Sequence, residues 1–314
     1  MTDHFIRNGA VCLVFLAIAS LFITSHYVSN LLIWMAIAAV LASCMRFVLL
    51  IGEMNFSVAA FVGLGAYTSG VLSTIYDLPF WLVLPASGFV ALLISVVFGY
   101  VTLRIKGPYF LLIGFAFGEA LRIYYMRTEW LGGNSGMVGI FPPDLLYEHF
   151  ATFVIVAAGL MILLMAFIER SRIGLIFTAI RDNDDVVRSV GIRVHWVKVL
   201  CFSIASFITG IAGSLQAYSN NVISPLDFGF MLSTFVLAYL KVGGENHTFG
   251  PVLGAVLLVL MGSYAQGFGG AEQVFYGLAI VLSVLFFPQG LMGWVDRIRM
   301  ARTKPEAGPV AGGV

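Results

Sequence analysis

Long apolar runs alternate with short polar joints along this chain. They occupy residues 9–25, 31–50, 56–76, 80–103, 108–125, 150–168, 197–219, 229–241, 250–267 and 271–288. Most approach the roughly 20 apolar residues that carry a helix across the hydrocarbon core of a bilayer. Backbone N–H and C=O groups find no water there, so each run must satisfy its own hydrogen bonds, which selects helix. The pattern predicts an all-α, polytopic transmembrane helical bundle of about ten spans. The run at 229–241 is short and separated from the next only by Lys241 to Phe249, so that pair also reads as a broken or re-entrant element. Arg7 precedes the first run as in a signal peptide. No clear small-x-small cleavage site follows, and a second run starts at Leu31, so the first reads as an uncleaved span.

Composition agrees. Hydrophobic residues make up 60% of the 314 residues and charged residues 11%, against about 25% charged in a soluble domain. Residues 1–299 read as one membrane domain and 300–314, polar and rich in Gly and Pro, as a disordered cytoplasmic tail. The positive charges set the orientation, because cytoplasmic joints hold the Lys and Arg excess. With both termini cytoplasmic, only Arg122 and Arg127 of the 17 Lys and Arg residues fall outside. Trp81, Trp130, Trp196 and Trp294 lie near span ends, where interfacial anchors belong. A net charge of +1 argues against nucleic acid. Cys12, Cys44 and Cys201 all lie in apolar segments with no metal-ligand spacing, and the five histidines are scattered. There is no phosphate-binding P-loop, no nucleophile elbow and no zinc-protease motif. No catalytic residue, metal or cofactor is expected.

Two joints exceed a turn. The outside joint from Arg127 to His149 holds Leu131-Gly132-Gly133-Asn134-Ser135-Gly136. The inside joint, 169–198, is the longest charged stretch. Within it Phe177 to Val190 reads as one short helix with Ile180, Val187 and Val190 as its apolar stripe. Arg181, Asp182, Asp184, Asp185 and Arg188 surround that stripe, and Gly191 suits the helix end. Two readings stand: the stripe packs on the protein's own body, or it docks a cytoplasmic partner. Glu119 and Arg122, three apart in the fifth run, can pair on one helix face. Charges inside a membrane are functional candidates by default. Asn55, Ser57, Gln216, Asn220 and Asn221 are polar groups at span ends that line a path or cap helices. Small residues recur every four positions (Gly114 and Gly118; Ser206, Gly210 and Ser214; Gly250 and Gly254), which favours close helix packing.

Several segments, in order, resemble the LivM-type branched-chain amino acid ABC transporter permease family. Phe61 to Thr68 (FVGLGAYT) is similar to its third-span motif, and Leu103 to Arg122 (LRIKGPYFLLIGFAFGEALR) to the stretch that follows. Leu131 to Pro142 resembles its Gly-rich external loop. Ser171-Arg172-Ile173-Gly174, Ala179 to Asn183, Val190-Gly191-Ile192 and Lys198 resemble its cytoplasmic loop. Lys241 to Gly254 and Phe287 to Leu291 complete the series, which covers roughly residues 50–295. The chain departs from the family at Val58, where His is common, and at Glu245-Asn246-His247, where small residues are usual.

The resemblance implies the fold of an ABC importer permease and one half of a membrane channel. A LivH-type second permease would supply the other half, two cytoplasmic ABC ATPases would bind ATP below, and a periplasmic solute-binding protein would deliver solute. Arg172, Arg181, Asp182, Asp184, Asp185, Arg188 and Gly191 would then form the coupling element that meets an ATPase. Asn55, Ser57, Glu119 and Arg122 are the candidates for the translocation path. The expected function is import of branched-chain or related amino acids, or a similar small polar solute, by alternating access across the bacterial inner membrane. The alternatives are an ion-coupled secondary transporter acting alone, for which Glu119 is the one acid well inside a span, and a membrane-embedded enzyme, for which no convergent set of groups is visible.

Overall fold

The computed structural model describes residues 25–265 except Lys106, together with Val274, Gly277, Leu278, Val281 and residues 290–293. The expected first span (9–25) apart from Ser25, nearly all of the last (271–288) and the tail (300–314) lie outside these residues. Each apolar run between them is one helix. These are α1 (His26–Leu49), α2 (Val58–Thr74), α3 (Phe80–Thr102), α4 (Pro108–Arg127), α5 (Phe150–Arg170), α8 (Val194–Asn220), α9 (Phe230–Gly243) and α10 (Gly250–Ala265). Two further helices, α6 (Arg172–Asp182) and α7 (Asp184–Ser189), fill the long charged joint. Helices α1, α3, α4, α5 and α8 are long and apolar enough to cross a membrane, while α2, α9 and α10 are apolar but shorter.

Helices α1 and α8 form the centre. α8 packs on α1, α2 and α3, and α1 packs on α5, α9 and α10. Lipid is as apolar as a leucine side chain, so helices in a membrane associate through close van der Waals fit. Glycine supplies that fit. A Cβ on Gly65 of α2 would lie 2.0 Å from the carbonyl oxygen of Gly210 in α8, and one on Gly213 would lie 2.1 Å from the oxygen of Val62. On the other side of the bundle, a Cβ on Gly254 would lie 2.0 Å from the oxygen of Tyr239, so α9 and α10 pack as a tight antiparallel pair. Helices α3, α4 and α5 turn broad apolar faces outward, with Leu93, Val97, Leu112, Leu160 and Phe167 exposed, as lipid-facing positions require.

The Gly-rich joint after α4 is ordered by two-residue strands, β1 (Met137–Val138) and β2 (Val222–Ile223). They pair antiparallel with Met137 opposite Ile223. Gly136 takes φ +73°, and a Cβ there would lie 1.8 Å from the oxygen of Ile223, so only glycine lets the two joints meet. Trp81, Trp130 and Trp196 are all exposed near helix ends, while Trp294 is outside the described residues.

Candidate functional site: a coupling element and a polar seam

The charged joint does not form the single helix expected from Phe177 to Val190. α6 already starts at Arg172, where the Ser171 hydroxyl accepts from the Gly174 N–H, and it stops at Asp182. The Asn183 side chain accepts from the backbone N–H groups of Asp185 (3.0 Å) and Val186 (3.3 Å), capping a new helix. That local bond ends one helix and starts the next, a competition which apolar spacing does not reveal. Gly191, at φ +86°, closes α7 as expected.

One face of this element packs on the protein's own body. Phe177 is fully buried edge-on against Phe47 of α1, and Ile180, Val187 and Val194 form a small core of their own. Val190, expected in that stripe, is instead 75% exposed. The other face is open. Arg172, Arg181, Asp182, Asp185, Arg188 and Gly191 are exposed, with Leu175, Val186 and Val190 among them. Arg181 pairs with Asp182 at 3.6 Å and Arg188 with Asp185 at 3.8 Å. Such exposed pairs contribute about 0–1 kcal/mol, so these charges can be re-partnered at little cost.

Asp184 leaves this set. It is 8% exposed, and its carboxylate lies 3.6 Å from the Lys198 ammonium of α8. The reason is geometric: as the first residue of α7 it faces inward while Asp185 faces out. Lys198 also meets the buried Glu53 at 3.3 Å. Glu53 stands in the joint between α1 and α2, and its second oxygen accepts at 3.4 Å from the N–H of Gly107, the residue that caps α4. Burial pushes the Glu53 carboxyl above the usual carboxylate range, against the opposing pull of Lys198. A second, part-buried ion pair joins α1 to α5. The guanidinium of Arg46 holds Glu169 of α5 with two bonds of 2.7 and 2.8 Å, and its Nε donates to the Glu245 carbonyl at 2.9 Å. The sequence reading found neither cluster. Their one visible signal is a charge inside or directly beside an apolar run: Arg46 within 31–50, Lys198 within 197–219 and Glu169 after 150–168.

The four path candidates meet on one seam between α2, α4 and α9. Asn55 accepts from both the N–H (2.9 Å) and the hydroxyl (2.5 Å) of Ser57. Ser233 of α9 donates to the Phe56 carbonyl at 2.9 Å and accepts from the Ala59 N–H at 3.3 Å, so α9 caps the start of α2. Gly114 of α4 faces this point, since a Cβ there would lie 3.1 Å from the Ser57 nitrogen. Farther along α4, Glu119 pairs with Arg122 at 2.7 Å as their spacing predicts. The other Glu119 oxygen accepts from the N–H of Phe230, the first residue of α9 (3.1 Å). Phe230 lies between Phe56 and Phe115, with ring centroids 6.1 and 5.1 Å away. Asn55 and Ser57 are buried; Glu119 and Arg122 are about a quarter exposed. Gln216 is buried within α8, and its side-chain oxygen has no hydrogen-bond partner among the described residues. Among the described residues no group of three or more His, Cys, Asp or Glu is placed to hold a metal ion.

The family described as "Branched-chain amino acid transport system / permease component" matches residues 27–287. The chain is 29% identical to the high-affinity branched-chain amino acid transport system permease protein LivM of Escherichia coli K12, over 90% of this chain and 74% of that protein. It is 30% identical to LivM of Salmonella typhimurium LT2, over 77% of this chain and 64% of that protein. The ribose import permease protein RbsC of Haemophilus influenzae is 23% identical, over 80% of this chain and 82% of its own length. No solved structure matches.

Proposed function

The chain belongs to the branched-chain amino acid transport permease family, and from that premise we propose that it forms half of the membrane channel of an ABC importer for branched-chain or related amino acids. It is a multi-pass protein of the bacterial inner membrane and a transport subunit rather than an enzyme. On this reading it crosses the membrane about ten times with both termini cytoplasmic. A LivH-type permease completes the channel, a periplasmic binding protein delivers solute, and two ABC ATPases below bind and hydrolyse ATP. Amino acids rather than sugars are favoured because the LivM relatives match at 29% and 30% identity and the ribose permease at 23%.

The observation that carries the reading is the open face of α6 and α7. It mixes exposed apolar side chains (Leu175, Val186, Val190) with charges in weak surface pairs (Arg181, Asp185, Arg188). Apolar side chains exposed among charges on a cytoplasmic joint support docking of a partner there. ATP-driven closure of the ATPases moves this element, and the two channel halves shift between outward and inward access. The seam holding Asn55, Ser57, Glu119 and Arg122 lies along the proposed path. The buried Asn55 and Ser57 hold its shape, and the part-exposed Glu119 and Arg122 face solute.

A pull-down from native membranes tests the docking. ATPases co-purify with wild type, and Asp185→Arg combined with Arg188→Glu, both outward-facing, lowers the recovered ATPase by about tenfold. Equal recovery from both removes the docking site, and no ATPase with wild type removes the importer reading. Uptake of labelled leucine, isoleucine or valine by the assembled importer, in preference to ribose, checks the solute class.

A further inference from the structure

The open face of α6 and α7 explains how a partner is held, not how its movement reaches the seam some way into the bundle. The buried charges supply the missing connection. Asp184 is the first residue of α7 and is turned inward, away from the docking face. Lys198 in α8 sits between Asp184 (3.6 Å) and Glu53 (3.3 Å), and all three side chains are at least nine-tenths buried. Glu53 has two further attachments. Its second oxygen receives the N–H of Gly107, the cap of α4, and α4 carries Glu119 and Arg122. Its own backbone continues within two residues into Asn55, whose side chain fixes the start of α2. Both halves of the polar seam therefore converge on one carboxylate, and that carboxylate is joined through one ammonium to the coupling element.

We propose that Glu53 is the positioning residue that transmits movement of the coupling element to the polar seam, through the chain Asp184–Lys198–Glu53. The proposal rests on the importer reading. An ion-paired chain suits this task. Buried charges tolerate separation from their partners poorly, because an isolated charge in a low-dielectric interior is costly. When α7 shifts, Lys198 and Glu53 follow rather than part. The first turn of α4 and the segment from Glu53 to Ser57 then move as one body. Apolar contacts between the same elements, being non-directional, would let them slide. A second, part-buried pair, Arg46 with Glu169, holds the start of the joint to α1.

The test uses the whole importer in proteoliposomes, measuring solute taken up and ATP hydrolysed in the same vesicles. Glu53→Gln keeps the shape of the side chain and removes its charge. It is expected to lower solute transported per ATP by about tenfold while co-purifying ATPase and hydrolysis rate stay near wild type. Glu53→Asp keeps the charge, and its expected ratio lies between the two. A single neutral substitution leaves Lys198 less well paired, so a triple variant, Glu53→Gln, Lys198→Met and Asp184→Asn, removes every charge together and avoids an orphaned ion. If the triad only stabilises the fold, the triple variant regains the wild-type transport ratio, and the proposal falls. If it transmits movement, the triple variant assembles and hydrolyses ATP but its transport ratio stays low. Parallel loss of transport and hydrolysis in Glu53→Gln also overturns the proposal. Absence of ATPase from wild-type preparations removes the importer reading itself, and this inference with it.

Discussion

Glu119 uses its two carboxylate oxygens for different tasks. One pairs with Arg122 and the other receives the first N–H of α9, a helix whose remaining end groups must find partners in an apolar setting. Glu119→Ala removes both bonds and is expected to lower stability by about 1–2 kcal/mol, the range for a lost helix cap. Glu119→Gln keeps an acceptor for the Phe230 N–H and loses only the ion pair, so it is expected to cost less than the alanine variant. Thermal unfolding of the detergent-purified protein checks the order; equal losses would show that the cap contributes nothing. The pairing of Glu119 with Arg122 was legible because residues three apart share a helix face. The bond to Phe230 was not, because the two lie 111 positions apart. Glu53 was missed for the same reason. An acid in a polar joint reads as solvated until the fold closes Lys198, 145 positions later, over it.

At the scale of elements, the apolar runs between residues 25 and 265 gave each long helix to within a few residues, because apolar length is the requirement a bilayer imposes. What they did not give is how closely the helices approach. The four-residue pattern in α8 pointed to Gly210, and the structure puts Gly210 against both Gly65 of α2 and Ser87 of α3. Gly114 and Gly118 share the same pattern on α4, yet among the described residues only Gly114 has a close neighbour; a Cβ on Gly118 would meet none of them within 4 Å. The two glycines of one pattern thus differ in kind. Gly65→Ala forces backbone apart and is expected to destabilise by about 3 kcal/mol, the upper range for overpacking. Gly118→Ala is expected to be neutral, or stabilising by about 0.5–1 kcal/mol through helix propensity. Comparing the two variants for folded yield and melting temperature checks this, and a Gly118→Ala variant as damaged as Gly65→Ala would mean that the α4 face is closed in the assembled channel. The break at Asn183 belongs to the same scale. The cap lies in the run Asp182-Asn183-Asp184-Asp185, residues that favour helix starts over helix interiors, and apolar periodicity does not register it.

For the molecule as a whole, orientation joins the proposed docking face to the proposed path. Arg46, Arg104, Arg170, Arg172, Arg181 and Arg188 all stand at helix ends or joints on the side of α6 and α7, while Arg122 and Arg127 stand in the last two turns of α4, before the joint that carries β1. Loop positive charge resists translocation, so the α6–α7 side is expected to be cytoplasmic. Single cysteines test this directly. Cys44 and Cys201 are buried, and Cys12 can be changed to serine, which leaves introduced thiols as the reactive ones. Asn134→Cys, exposed in the joint after α4, is expected to react with a membrane-impermeant maleimide in intact spheroplasts. Ser189→Cys, exposed at the end of α7, is expected to react only in inside-out vesicles. The reverse pattern would place the docking face outside and leave no route for cytoplasmic ATPases to reach it. The same Ser189→Cys thiol carries the argument one step further. If α7 is where an ATPase seats, its labelling in inside-out vesicles slows when the ATPases are bound and recovers when they are stripped by high salt, because a contact built partly from weak exposed charges is screened by salt.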